Sequence, residues 1–197
     1  MKEIDNYKDG KLDGDYKSYF ENGEVCISGK YKDGKQEGEW RYFSDDGKFG
    51  EYFGNTYLDE IGNYKDGERE GEWKRYWPNG QLRHIGNYKD GKLEGEWKDY
   101  HNNGSLYEIG QLSSITNYKD DKKEGECKWH WRNGQLREIG NYKDDEREGE
   151  WKYYYSNGEL DKIGKYKGGK KEGEWKFYYD NGKLDKIENY KDDQLLN

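Results

Sequence analysis

The sequence predicts an all-β protein, an elongated single-layer array of antiparallel β-hairpins forming a twisted or curled meander of about fifteen strands. Three observations carry this expectation. A Tyr-Lys pair recurs at Tyr7, Tyr31, Tyr64, Tyr88, Tyr118, Tyr142, Tyr166 and Tyr190, and five of the seven gaps are 24 residues. An Asn-Gly or Asp-Gly pair closes each repeat, at Gly23, Gly47, Gly80, Gly104, Gly134, Gly158 and Gly182. Between the turn signals run aromatic-rich stretches of about eight residues, a strand length and short for a helix.

Each element of the repeat has its own reason. The Lys-Asp-Gly-Lys segment after the tyrosine is one turn, with Asp121, Asp145 and Asp193 replacing glycine in three repeats. The Asn-Gly segment is the other, and Asn-Gly or Asp-Gly between apolar runs is the strongest short hairpin signal because both residues tolerate positive φ. If Asn79-Gly80 is a two-residue turn, Trp73 faces Gly86, Tyr88 faces Gly71, Glu70 faces Lys89 and Tyr76 faces Arg83. Each ring then covers a glycine that would otherwise weaken its strand. That pairing accounts for Gly14, Gly38, Gly71, Gly95, Gly125, Gly149 and Gly173, and a bulge in either turn would shift it.

One face is expected to carry the row Tyr16, Trp40, Trp73, Trp97, Cys127, Trp151, Trp175, the tyrosines, and the row Val25, Leu82, Leu106, Leu136, Leu160, Leu184. The other is expected to be Glu and Lys. Strands about 4.8 Å apart give an array of roughly 70 Å. Residues 1–197 read as one repeat domain of 24-residue units, with insertions near 49–59 and 111–116 that account for the two longer gaps. The terminal strands expose edges, which makes end-to-end self-association an expectation.

Composition narrows the function. Only 29% of residues are hydrophobic and 40% are charged, and the mean hydropathy is -1.61, close to the disordered class. The 21 Tyr, 8 Trp and 5 Phe argue the other way, since each aromatic buries roughly 150–250 Å². A net charge of -8 with interspersed signs lacks the basic patch of nucleic-acid binders. No apolar stretch is long enough for a signal sequence or a membrane span, so the expectation is cytoplasmic, with membrane attachment disfavoured. Cys26 and Cys127 occupy non-equivalent repeat positions, which argues against a disulfide.

The unit Tyr-Lys-Asp-Gly-Lys-x-Glu-Gly-Glu-Trp-Lys-x-Tyr-x-x-Asn-Gly-x-Leu resembles the bacterial variant of the MORN repeat, the kind found in YwqK-family antitoxins, over nearly the whole chain. The resemblance implies a hairpin array and, in some relatives, a cytoplasmic antitoxin or immunity role. Cys127 and His130 depart from the Trp and Tyr of that pattern.

No catalytic constellation emerges. His84, His101 and His130 fall at different repeat positions without metal-ligand spacing. Cys127 near His130 could suggest a thiolate nucleophile, but it stands in the tryptophan row and reads as a buried substitute for a ring. Glu37, Glu70 and Glu94 recur with the fold and read as a solvated charged face. No cofactor, metal or enzymatic activity is expected. On the aromatic face the variable positions Arg75, Trp77, Asp99, His101, Trp129, Trp131, Tyr153, Tyr155, Phe177 and Tyr179 read either as core or as a partner-binding surface, a fixed frame carrying varied hot-spot residues. The expected function is a non-enzymatic protein-binding module of antitoxin or immunity type. The alternatives are a scaffold or membrane-associated organiser, and an aromatic cage for choline or carbohydrate.

Overall fold

The computed structural model describes residues 2–45, 56–102 and 110–196. No helix occurs among them, and the chain divides into two compact units, residues 1–93 with 102–110, and 94–101 with 111–197. The first unit contains β1 (Lys2–Ile4), β2 (Tyr7–Lys8), β3 (Lys11–Leu12), β4 (Gly14–Tyr19), β5 (Val25–Lys32), β6 (Lys35–Asp45), β7 (Thr56–Lys65), β8 (Glu68–Tyr76) and β9 (Leu82–Lys89). β1 pairs with β4, and each strand from β4 to β9 pairs antiparallel with the next, while β2 and β3 form a separate small hairpin. The second unit contains β10 (Lys92–Tyr100) from Glu94 onward, β11 (Leu112–Lys119), β12 (Lys122–His130), β13 (Leu136–Lys143), β14 (Glu146–Tyr154), β15 (Leu160–Lys167), β16 (Lys170–Tyr178), β17 (Leu184–Lys191) and β18 (Gln194–Leu196), again paired in sequence order.

The two turns differ in kind. At the Asp-Gly turn both central residues have positive φ, as at Asp90 (49°) and Gly91 (77°), the type I′ geometry that suits hairpin twist. At the Asn-Gly turn only the glycine does. The Trp77 N–H donates to the Gln81 carbonyl oxygen at 2.7 Å and the Gly80 N–H to that of Trp77 at 2.8 Å, a three-residue loop with a glycine bulge. The two-residue turn expected there is therefore corrected. The register Trp73 to Gly86 and Tyr88 to Gly71 holds, but it slips between Arg75 and Tyr76, so Tyr76 faces Leu82 and Arg83 is the extra residue.

That slip moves a row. Facing residues of an antiparallel pair share a face, so Leu82, Leu136, Leu160 and Leu184 lie with Tyr76, His130, Tyr154 and Tyr178, opposite the tryptophans. The second face carries this apolar row beside alternating Lys and Ile, and is less uniformly charged than expected. Its ion pairs Glu72–Lys74 at 2.7 Å, Glu126–Lys128 at 2.5 Å and Glu150–Lys152 at 3.0 Å are half exposed and contribute little.

The two glycine rows have separate causes. A Cβ at Gly29, Gly62, Gly140 or Gly164 would lie 2.1–2.2 Å from the ring of Trp40, Trp73, Trp151 or Trp175. Each tryptophan thus covers a glycine of the preceding strand, not the residue it faces across the Asn-Gly hairpin, which is Gly62, Gly86 and Gly164 for Trp40, Trp73 and Trp151 and Glu188 for Trp175. Gly38, Gly71, Gly149 and Gly173 meet nothing within 4 Å and have φ near +70°, at the register shift that tilts the next tryptophan back. They are present for backbone conformation, not for cover by a tyrosine. Where Cys127 replaces the tryptophan, its facing residue on β11 is Thr116. Ring and glycine are lost together.

Turns are tied from repeat to repeat. Glu37, Glu70, Glu124 and Glu148 accept the N–H of Asp66, Asp90, Asp144 and Gly168 in the next turn, at 2.9–3.1 Å. These carboxylates, expected to be merely solvated, link consecutive hairpins. Where Asp145 and Asp193 replace glycine, the new carboxylate accepts the N–H of Lys123 and Lys171 in the preceding repeat, at 2.8 and 2.7 Å. At the other turn, Asn133 and Asn157 donate to the carbonyl oxygens of Ser156 and Asp180.

The insertions are partly visible. Phe43, Ser44 and Asp45 pair with Leu58, Tyr57 and Thr56, so part of the first lengthens the arms of a hairpin; residues 46–55 lie outside the described residues. The second sits earlier than expected. Leu112–Lys119 is an ordinary strand, and the His101 N–H donates to the Gln111 carbonyl oxygen at 2.8 Å, so the extra length falls between His101 and Gln111, where 103–109 lie outside the described residues.

Candidate functional site: the aromatic face

The floor of this face is the tryptophan row. Trp40, Trp73, Trp151 and Trp175 are at most 2% exposed, and their indole N–H groups donate to the carbonyl oxygens of Lys30, Asn63, Asn141 and Lys165 at 3.1–3.3 Å. Tyrosines stand edge-on between them, with Tyr64 5.1 Å from Trp73 and Tyr166 5.1 Å from Trp175, the arrangement favoured by ring quadrupoles. Unit one carries an unbroken chain of rings from Tyr16 to Tyr88. In unit two Cys127 interrupts it, and Trp129 stacks on Trp151 at 6.0 Å instead. Burial pushes the Cys127 thiol up from its ordinary pKa, away from a reactive thiolate.

Cations roof this floor. Arg69 lies 4.0 Å from the Trp73 ring centroid and Arg147 4.6 Å from that of Trp151, while Lys171 lies 4.8 Å from that of Trp175. Arg69 is held by two hydrogen bonds to Glu60, at 3.0 and 2.9 Å. The matching Glu138 is 2.7 Å from Arg137 and 3.7 Å from Arg147. Sequence reasoning missed these pairs; the signal was the joint recurrence of Arg69 with Glu60 and Arg147 with Glu138 at one repeat position each.

The expected binding residues fall in two rows above the floor. Trp129, Tyr153 and Phe177 follow one another on β12, β14 and β16, with Arg75 the counterpart in unit one. Trp131, Tyr155 and Tyr179 follow the same strands into the Asn-Gly turns; His101 and Trp77 occupy that position in their own repeats. Most are engaged within the chain. Arg75 makes two bonds to Asp59, at 3.0 and 3.1 Å, and the Trp131 indole N–H donates to the Tyr154 carbonyl oxygen at 3.0 Å. Tyr179, 51% exposed, is the most open. Burial, then Lys128 and His101, lower the His130 pKa. Among the described residues no cluster of His, Cys, Asp or Glu is placed to hold a metal.

The bulge brings further residues to this face. Arg83 lies 4.5 Å from the Trp77 ring centroid and Arg137 5.6 Å from that of Trp131. In the next two repeats the pair changes together. Tyr replaces Trp and Asp replaces Arg, giving Tyr155 with Asp161 and Tyr179 with Asp185, each carboxylate beside the phenol.

Burial, then the hydrogen bond to a second phenol, drives the pKa of Tyr42 and Tyr153 well above the ordinary tyrosine value; the Tyr42 and Tyr64 hydroxyl oxygens are 3.0 Å apart, and those of Tyr153 and Tyr166 3.1 Å. The folded state therefore keeps protons that the unfolded chain releases above pH ~10. This stability is complete below that pH and falls as pH rises beyond it. The expected result is alkaline unfolding that starts near the ordinary tyrosine pKa, with a shallower slope in Tyr153→Phe, read by denaturant midpoint against pH.

An antiparallel hairpin array with a built aromatic floor and varied residues above it defines a β-hairpin repeat protein. The chain belongs to the MORN repeat variant family, whose pattern matches residues 12–33, 69–90, 93–112, 123–144, 147–167 and 171–192. No curated protein matches the sequence. Among solved structures, a crystal structure of the GtfA/B complex bound to UDP and GlcNAc is similar at 13% identity and a TM-score of 0.24, covering 71% of this chain and 22% of that one. A crystal structure of TcdB2-TccC3-Cdc42 is similar at 14% identity and a TM-score of 0.26, and the Tc holotoxin pore of Photorhabdus luminescens at 14% and 0.25. Each covers 96% of this chain, which spans 12% of their length.

Proposed function

We propose that the chain is a non-enzymatic protein-binding module that grips its partner with the upper rows of the aromatic face, and that it serves as a cytoplasmic antitoxin or immunity-type protein of bacterial origin. The observation that supports this reading most is the division of labour on that face. The tryptophan, glycine and turn residues repeat and are consumed in the fold, while Trp129, Tyr153, Phe177, Trp131, Tyr155 and Tyr179 vary on a constant frame. Tyr, Trp and Arg are the residues that dominate binding hot spots. A net charge of -8 favours steering toward a basic partner. The choline-cage alternative is weakened because the cation position over Trp73, Trp151 and Trp175 is already filled by Arg69, Arg147 and Lys171.

The test is affinity capture from the native lysate with the parent protein beside Trp131→Ala/Tyr155→Ala/Tyr179→Ala. The expected result is stoichiometric capture of one protein by the parent and at least tenfold weaker binding by the triple variant, since hot-spot truncations each cost about 2 kcal/mol. Equal capture by both would refute the aromatic-face reading.

A further inference from the structure

The paired change at the bulge separates two kinds of seat. Where the turn residue is tryptophan, the bulged residue is arginine and lies over the ring, as Arg83 over Trp77 and Arg137 over Trp131. Where it is tyrosine, the bulged residue is aspartate, and among the described residues no cation lies over Tyr155 or Tyr179. The Tyr155 hydroxyl donates to the Tyr178 carbonyl oxygen at 2.8 Å and lies within hydrogen-bond reach of Asp161, as that of Tyr179 does of Asp185. Asp161 has one distant cation, Lys162 at 3.8 Å, whose ammonium lies over the Tyr153 ring at 4.7 Å. Each Tyr/Asp seat thus offers a ring and a carboxylate, the two groups that hold a guanidinium best, with no cation over its ring. The Trp/Arg seats show how an arginine lies there.

We propose that Tyr155 with Asp161, and Tyr179 with Asp185, are two seats for arginine side chains of the protein partner. This rests on the protein-binding reading above and adds the chemistry recognised. The seats occupy one position in successive repeats, two strands apart, so they are spaced by about 10 Å. An extended polyproline II segment advances about 9.3 Å in three residues and returns to the same side. The occupant is an extended segment with arginines three residues apart. A β-strand fits less well, because residues three apart point to opposite sides.

The probe is a fluorescein-labelled, end-blocked Arg-Pro-Pro-Arg peptide, titrated by anisotropy at low salt against the full chain. A citrulline analogue removes its charges, and an Arg-Arg-Pro-Pro peptide alters the spacing. Asp161→Asn/Asp185→Asn is expected to weaken binding about tenfold, two exposed cation contacts of two- to fivefold each. Asp161→Arg/Asp185→Arg, which fills the seats from within as Arg137 does, is expected to abolish it. Glu150→Gln, on the opposite face, is expected to leave it unchanged, and circular dichroism verifies that every variant is folded. Equal affinity for the citrulline or respaced peptide, or equal loss in Glu150→Gln, would overturn the seats. If these fail while Trp131→Ala/Tyr155→Ala/Tyr179→Ala still loses the captured protein, the protein-binding reading stands and only the arginine chemistry falls.

Discussion

Trp175→Ala is expected to destabilise its repeat by about 3–5 kcal/mol, the range for truncating a fully buried large aromatic. Trp175 has no exposed surface, and removing it deletes ring contacts with Tyr153, Tyr166, Phe177 and Tyr190. It also deletes the hydrogen bond to the Lys165 carbonyl oxygen and uncovers Gly164. Because stability in a repeat array is a sum of local and nearest-neighbour contributions, the loss should be confined to β14, β15, β16 and β17. Hydrogen exchange checks this directly: protection should fall in those strands and persist at β12 and β13. A uniform loss across unit two would mean that the repeats are not energetically local.

Gly140→Thr is the second large effect, expected to cost about 3 kcal/mol, the upper end of overpacking. A Cβ at this position would come within 2.2 Å of the Trp151 ring, which is buried and cannot move aside. The same threonine is expected to be far less harmful beside Trp151→Cys, because that double replacement recreates the Thr116–Cys127 pair found on β11 and β12. A double-mutant cycle should therefore give a favourable coupling of about 1–3 kcal/mol. Strict additivity would mean that the two natural replacements are unrelated. By contrast Gly149→Asn is a mild change, since φ there is +72° with open space around it, and asparagine tolerates that conformation better than most residues.

The sequence was most informative where a physical requirement leaves a single-residue mark. Periodic Tyr-Lys and Asn-Gly pairs were enough to place the hairpins seen among the described residues, and the central register of β8 and β9 could be written from residue numbers alone. What was not legible followed from the bulges. One extra residue at Arg83 sent Leu82 to the opposite face and brought Arg83 over Trp77, and a two-residue turn could not have shown this. The glycines were misread for a related reason. Tryptophan and glycine recur together, but composition does not say whether a ring covers the glycine before it or after it. The candidate binding rows were visible as variation at fixed positions. The cations above the floor were hidden, because Arg69 and Arg147 look like ordinary members of a charged repeat until their distance to the rings is known.

The backward cover of each glycine by the following tryptophan also gives the chain a direction in time. Gly29 leaves the ribosome eleven residues before Trp40, and Gly140 before Trp151, so each seat exists before the ring that fills it. A nascent repeat can close onto the hairpin already made without waiting for anything downstream. Since the ring contacts join only the same or adjacent repeats, the widest being Tyr42 with Trp73, the loops to be closed stay short and cheap. Growth by vectorial addition, one hairpin per repeat, is therefore written into the packing itself.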